Sequence, residues 1–333
     1  MTRPLVTIAI PVHKRLHYLP GALRSVAAQG YGNIELIVSD NGLNGAEVSN
    51  IVSAHYGRPW RFRQNPAIEM QVPHWNQLLS EATGEYFVLL ADDDELSPTY
   101  VSELAGLLDR HSQAAVAIAA QQILDERGAV VRRTCGALPE VLPGGEFIRR
   151  AFHTYEWGFA CFMTVFARTD EMRRCGGYPN FPQAQHGDDT LLFKLSLGRP
   201  VVMSDRCAFR YRVYEASYGL SQDIRILAAA TRQLLSFLDS DPQLREFARA
   251  CPGQWRELRG YLEQNKLETY YFRWRHMYRR RLTRRQWVRA AFALPYSHFY
   301  YRRVLGALLD VACDAVTERV KRRSLLPGSS SRK

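Results

Sequence analysis

Two hydrophobic periods alternate through the front of this chain. LVTIAIPV (5–12) is apolar and β-branched throughout, the pattern of a strand covered on both faces, and LPGALRSVAAQG (19–30) follows with helical spacing and a closing glycine. IELIVSDNG (34–42) predicts a second buried strand ending at Asp40 in a turn, and EVSNIVSAHYG (47–57) a second helix. WRFRQNP (60–66) predicts a short third strand, VPHWNQLLSEATG (72–84) a helix, and EYFVLLADDD (85–94) a fourth strand. Strands alternating with helices of this length predict a mostly parallel sheet with right-handed crossovers.

Beyond the fourth strand, PTYVSELAGLLDR predicts a helix with Asp94 or Ser97 as its N-cap, and 114–133 a strand, a turn at Glu126-Arg127-Gly128 and a returning strand. Segment 144–168 offers a helix and an apolar strand. CGGYPNFPQAQHGDD (175–189) is dense in turn formers and reads as a long loop delivering Asp188 and Asp189 to the start of a helix, TLLFKLSLG. From about 222 the pattern turns helical, with Arg, Trp and Tyr interleaved, and PGSSSRK at the end has the composition of a disordered tail.

Open α/β sheets bind ligands at the carboxyl ends of their strands, so Asp40 and the Asp92-Asp93-Asp94 run are expected to face one crevice. Three adjacent carboxylates repel one another unless a positive group sits among them, and a hard divalent cation is the economical candidate. A solvated acidic turn capping the next helix explains the same residues more modestly.

Composition sets the class. With 333 residues and 46% apolar content the chain folds as one large α/β domain with an appendage, or as two domains. The six cysteines show no CxxC pair, which argues against a zinc knuckle or disulfide framework and for reduced thiols in the cytosol. The N-terminal segment lacks the long apolar region of a secretory signal, and no apolar run reaches membrane-spanning length. Charge divides sharply. Residues 221–333 hold 23 Lys and Arg against 10 Asp and Glu, a net +13, leaving 21 against 23 for residues 1–220. Such a tail suits an anionic surface.

In order and spacing, the segments of roughly 4–220 resemble the inverting family 2 glycosyltransferases with the GT-A nucleotide-sugar-binding fold, Rossmann-like and mostly parallel. VTIAIPVHKRLHYLPGALRSVAAQGYGNIELIVSDNG is similar to the family's opening, WNQLLSEATGEYFVLLADDDEL to its central signature, and HGDDTLLFKLSLG to its acidic pair. The resemblance implies that Pro11, Val12, His13, Lys14, Asp40 and Asn76 bind the nucleotide sugar together with Asp92 and Asp93. It implies that Asp94, Asp93 and Asp92 form the metal site for Mn²⁺ or Mg²⁺, and that Asp189, with Asp188 beside it, is the catalytic base. Two departures stand out: Ala91 occupies the family's first DxD position, and Tyr214 stands where many relatives carry a His.

The same resemblance implies a metal-dependent transfer from a nucleotide diphosphate sugar, a UDP-sugar above others, to an acceptor hydroxyl on a glycan or lipid-linked acceptor, as in cell-surface polysaccharide or glycolipid assembly. A catalytically silent sugar-nucleotide-binding scaffold is the alternative. Trp157 and His186 are candidates for the acceptor side, joined by Arg212, which alternates with aromatics in FRYRVY. The expected organisation is a GT-A domain over 1–220, a helical basic region over 221–326 and a disordered tail over 327–333. Arg273, Arg275, Arg279 to Arg281, Arg284, Arg285 and Arg289, mixed with Trp274, Tyr278, Trp287 and Phe292, suit a helix lying in an anionic bilayer interface at the inner face of the plasma membrane. A helical bundle that packs on the catalytic domain and shows a basic surface explains the same residues more modestly, nucleic acid is the least favoured partner for that tail, and a homo-oligomer is a further association the composition allows.

Overall fold

The computed structural model describes residues 3–134, 136–214, 223–277, 283–293 and 304–305. Tyr278, Arg279 to Arg281 and the 327–333 tail of the sequence reading lie outside them.

The predicted alternation is present. β1 (Val6–Val12), α1 (Leu19–Ala27), β2 (Ile34–Asp40), α2 (Ala46–His55), β3 (Trp60–Gln64), α3 (Gln71–Glu81) and β4 (Tyr86–Leu89) follow in order. β3, β2, β1 and β4 lie side by side and parallel, with Val12 level with Asp40. Their apolar runs are explained by burial on both faces. Val6, Ile8, Ile10, Leu36, Val38, Tyr86 and Val88 pack with α1 and α2 on one side, while Ala9, Ile37, Phe87 and Leu89 face a second core on the other.

The strand expected over 85–94 is interrupted after Leu89, because the chain turns there: Asp94 N–H donates to the Ala91 carbonyl at 3.2 Å. It resumes as β5 (Glu95–Leu96), then α4 (Tyr100–Arg110). Neither Asp94 nor Ser97 caps α4; Thr99 holds the N-cap position, and Asp94 is engaged elsewhere. β6 (Val116–Leu124) and β7 (Val130–Arg133) form the expected hairpin, and β8 (Val141–Pro143) leads into α5 (Gly144–Ile148) and one π-helical turn over Arg149–His153.

β9 (Phe166–Arg168) inserts antiparallel between β4 and β6, then α6 (Thr169–Arg174), α7 (Gly187–Ser196) and β10 (Pro200–Arg212) follow. β10 runs parallel to β6 and antiparallel to β5 and β8, which completes a mostly parallel mixed sheet. α8 (Ile224–Ser240), α9 (Pro242–Ala250), α10 (Pro252–Met277) and α11 (Arg284–Ala291) make the helical C-terminal region.

These helices pack on the half of the chain that carries the sheet. Ala230, Leu234, Leu238, Leu244, Leu258 and Leu262 share one core with Leu89, Phe147 and Leu192. Trp274 and Trp287, expected at a bilayer interface, are instead buried. Their rings stack at 4.4 Å, and each indole N–H donates to the other's carbonyl, at 2.8 and 3.1 Å. Such reciprocal pairing satisfies both polar tips inside an apolar cluster with Tyr270 and Leu267. Among the described residues no helix is long and apolar enough to cross a membrane, and Cys161, Cys175, Cys207 and Cys251 are free thiols.

Candidate active site

A cleft of about 1120 Å³ opens where β1, β2 and β4 end. One wall is built by two loops locked together. Asp40, fully buried, accepts from Gly42 N at 2.9 Å, Asn44 Nδ2 at 2.8 Å and Gly45 N at 2.7 Å, so its carboxylate is consumed in shaping the turn. A Cβ on Gly42 would stand 1.7 Å from the His13 carbonyl, so only glycine permits this approach of the β1 and β2 loops. Asp40 therefore shapes the wall from behind, and its neighbour Asn41 lines the cleft. Asn41 donates to the Glu69 carbonyl at 3.0 Å and accepts from Asn65 Nδ2 at 2.7 Å and Glu69 N at 2.9 Å, which pins the segment after β3. His74 pairs with Ser39 Oγ at 2.7 Å, and burial with the nearby Arg63 charge pushes its pKa down to about 4.

The acidic run forms the floor. Asp92 accepts from His13 N at 3.2 Å, and burial, then the Asp93 charge, push its carboxyl up to about 7. Asp93 accepts from the Tyr214 hydroxyl at 2.7 Å and pairs with Arg15 at 3.4 Å. Asp94 accepts from Arg212 N at 2.8 Å, and burial, then Asp93, hold it well above the ordinary carboxylate range. Tyr214 thus occupies an oxygen of the acidic run itself.

Across the cleft stand Asp188 and Asp189, in the first turn of α7. Neither is the N-cap: His186 takes that position in the left-handed conformation, φ 65°, which leaves both carboxylates facing the cleft. Asp188 accepts from Phe162 N at 3.3 Å, and burial with the Asp189 charge pushes it up to about 6. Asp189 Oδ2 lies 2.5 Å from Lys266 Nζ.

The cleft therefore brings together Pro11, Val12, His13, Asp92, Asp93, Asp94, Asp188, Asp189, His186 and Arg212. Several expected contacts fall elsewhere. Lys14 is exposed and outside the cleft lining. Asn76 is turned away from it, accepting from Tyr178 N at 2.8 Å and donating to the Tyr178 carbonyl at 2.9 Å, close against Gly177 at φ 70°. Trp157 is 1% exposed, stacked on Phe147 with the Arg150 guanidinium 4.7 Å from its ring centroid, so it belongs to the core and not to an acceptor surface. His186 lines the cleft but pairs with Thr231 Oγ1 at 3.0 Å, and burial, then the Lys266 and Arg273 charges, push its pKa well down.

Arg212 does not extend its guanidinium freely toward a ligand. It donates to the Asp93 carbonyl at 2.9 Å, the Asp125 carbonyl at 3.2 Å and Glu95 Oε1 at 2.6 Å, bracing the acidic turn. The sequence reading missed Asn265, Lys266 and Thr269 and expected Arg273 at a bilayer interface, whereas α10 contributes all four to the cleft. A signal existed: the apolar stripe Leu258, Leu262 continues at helical spacing into Asn265, Lys266, Thr269 and Arg273.

Among the described residues no three His, Cys, Asp or Glu side chains converge on one ion position. Asp92 and Asp94, buried carboxylates crowded by Asp93, are the donor type that a hard cation would take.

Comparison with known proteins places the fold and the family. Residues 7–171 match the family model for glycosyl transferase family 2. EpsE of Bacillus subtilis, which carries the name of a glycosyltransferase, is 24% identical over 265 residues, covering 74% of this chain and 91% of that one. A glycosyltransferase of Rickettsia felis is 28% identical over 132 residues, 39% of this chain, and the match spans 21% of that longer protein. S. aureus TarS in complex with UDP-GlcNAc superposes with a TM-score of 0.62 at 14% identity, over 87% of this chain and 82% of that one. The mannosyltransferase PcManGT of Pyrobaculum calidifontis, in complex with GDP-Man and Mn²⁺, gives 0.51 at 14% identity over 94% and 88%. Residues 7–171 form a glycosyltransferase family 2 domain, and the fold of the chain is GT-A.

Proposed function

We propose that this glycosyltransferase moves a sugar from a nucleoside diphosphate sugar to an acceptor hydroxyl in one inverting displacement assisted by a divalent cation. The observation that carries the reading is that two acidic clusters, Asp92 to Asp94 and Asp188 with Asp189, line one cleft. Solved relatives of the fold in complex with UDP-GlcNAc, UDP and GDP-Man support a nucleotide-sugar donor, with a UDP-sugar favoured.

In this reading Pro11, Val12, His13 and Asn41 form the nucleotide wall, and Asp94 with Asp93 and Asp92 would hold Mn²⁺ or Mg²⁺. Such an ion, when bound, neutralises charge on the diphosphate as a Lewis acid. Asp189 takes the proton of the acceptor hydroxyl. The acceptor oxygen then bonds to the anomeric carbon while the bond from that carbon to the diphosphate oxygen breaks, its electron pair leaving on the diphosphate. Asp188 shares the buried negative charge beside the base.

A glycan or lipid-linked acceptor in polysaccharide or glycolipid assembly suits the basic C-terminal region, in which Arg275, Arg285 and Arg289 are exposed. Placing that region against the anionic inner face of the plasma membrane rests on this charge. The domain division at 220 is retained as a division of labour, with α8 and α10 closing one side of the cleft.

The test is thermal stabilisation by UDP-, GDP- and dTDP-sugars with and without Mn²⁺, followed by nucleoside diphosphate release. Metal-dependent binding with release supports transfer. Binding without release across a panel of acceptors supports a silent sugar-nucleotide scaffold, and no binding contradicts the donor assignment.

A further inference from the structure

Lys266 lies on α10, 77 residues beyond Asp189, yet its side chain is only 5% exposed and its Nζ is 2.5 Å from Asp189 Oδ2. The same ammonium stands 5.5 Å from the centroid of the Phe152 ring. The register of α10 is fixed independently. Asn265 Nδ2 donates to the Phe152 carbonyl at 2.9 Å, and Tyr155 donates to Glu268 at 3.1 Å. Leu258 and Leu262 seat the preceding turns in the core.

A desolvated ammonium beside a carboxylate gains little net stability, since the cost of removing both charges from water offsets their attraction. Apolar side chains would serve packing as well. Retaining the pair inside the cleft points to a role in the chemistry of Asp189.

We infer that Lys266 is a positioning residue for the transfer reaction, holding the Asp189 carboxylate ionised and aimed at the acceptor hydroxyl. The inference rests on Asp189 being the base. It makes the C-terminal helices part of the catalytic unit and not only a docking appendage. Lys266 keeps its proton throughout; the acceptor's proton goes to Asp189 and then to solvent.

The surroundings of Asp189 are mixed in charge. Asp188 adjoins it on α7, Cys161 faces it from the loop before β9, and Arg273 faces it from α10. His186 borders Lys266 and Arg273, while Tyr211 faces Asp188 and Arg273 from β10. Against the burial of Asp188 and the Asp189 charge, Lys266 is the cation that pulls Asp188 down.

The test compares Lys266→Met, Lys266→Arg and Asp189→Asn. Turnover is read as nucleoside diphosphate release from a UDP-sugar with Mn²⁺, and Asp188 is titrated by carbon-13 carboxyl resonances. Lys266→Met should leave donor affinity near wild type, lower kcat about 10- to 100-fold at neutral pH, and move the acid limb of the pH–rate profile up by about one pH unit or more. The Asp188 titration should rise with it. Lys266→Arg should keep both at their wild-type pH.

A wild-type kcat and unmoved acid limb in Lys266→Met overturn the proposal, as does an Asp188 titration raised equally in Lys266→Arg. Should Lys266→Met fail to fold by circular dichroism, the Asp188 titration of Lys266→Arg decides in the same terms. Full turnover in Asp189→Asn would instead sink the base assignment itself. Loss there, with unaffected Lys266 variants, sinks the Lys266 role alone.

Discussion

The main-chain N–H of Arg212 donates to Asp94 Oδ1 at 2.8 Å, so the last strand of the sheet fixes a carboxylate 118 residues earlier in the chain. Its guanidinium continues the same brace through the Asp93 and Asp125 carbonyls and Glu95, with its centre 5.1 Å from the Tyr18 ring centroid. The acidic turn is thus held from outside by a side chain that is 7% exposed.

Replacing this brace should be costly. Arg212→Met leaves Glu95 and the Asp93, Asp125 and Glu126 carbonyls without this donor and should destabilise the protein by about 3 kcal/mol, read from urea midpoints. Donor affinity in the presence of Mn²⁺ should fall together with stability. Arg212→Lys should recover only part of either, because an ammonium cannot reproduce the planar fork. A loss below about 0.5 kcal/mol in Arg212→Met would mean the turn holds itself.

His74 supplies a pH prediction with a definite sign. Its pKa in the fold is about 4, against an ordinary 6.5, because it is buried beside Ser39 and near Arg63. Between those values the unfolded chain binds more protons, so this contribution is complete above about pH 6.5 and is lost as pH falls toward 4. Its size is of order 3 kcal/mol at most. In urea denaturation, His74→Gln should therefore show a flatter fall in stability than wild type between pH 6.5 and 4. Parallel curves would contradict the assignment of a neutral, buried imidazole.

Trp157 separates core from site. Trp157→Ala should cost about 3–5 kcal/mol through the cavity it leaves against Phe147. Trp157→Phe should leave the donor KM and the acceptor KM within about twofold, the mark of a side chain that packs and does not bind. A selective rise in the acceptor KM of the Phe variant would restore Trp157 to the acceptor surface.

Much of the sheet was legible because its strands follow local rules: β1 and β2 are apolar at most of the positions that two cores cover, with buried Thr7 and Ser39 hydrogen-bonded, and β4 alternates between the cores. The two acidic clusters were legible for a related reason, since each sits at a strand or loop end where carboxylates have no packing role. What escaped was tertiary. Nothing local in LEQNKLET announces that Lys266 reaches Asp189, for that contact depends on how α10 docks across the π-helical turn and α8. Asp40 ends its strand where the sequence suggested, yet its carboxylate closes on its own turn, and Asn76 on α3 is drawn away from the cleft by Tyr178, 102 residues further on, a direction no local rule sets. Trp274 and Trp287 read as interfacial because alternation with arginine looks amphipathic, whereas the two rings find each other across 13 residues.

Donor isothermal titration with Mn²⁺, run in parallel on Asp94→Asn and Asp189→Asn, tests the division of labour between the two walls of the cleft. Asp94→Asn should lose metal-assisted donor affinity, while Asp189→Asn should bind donor near normally and lose turnover by about 10²- to 10⁴-fold. Equal loss of donor affinity in both variants would contradict it.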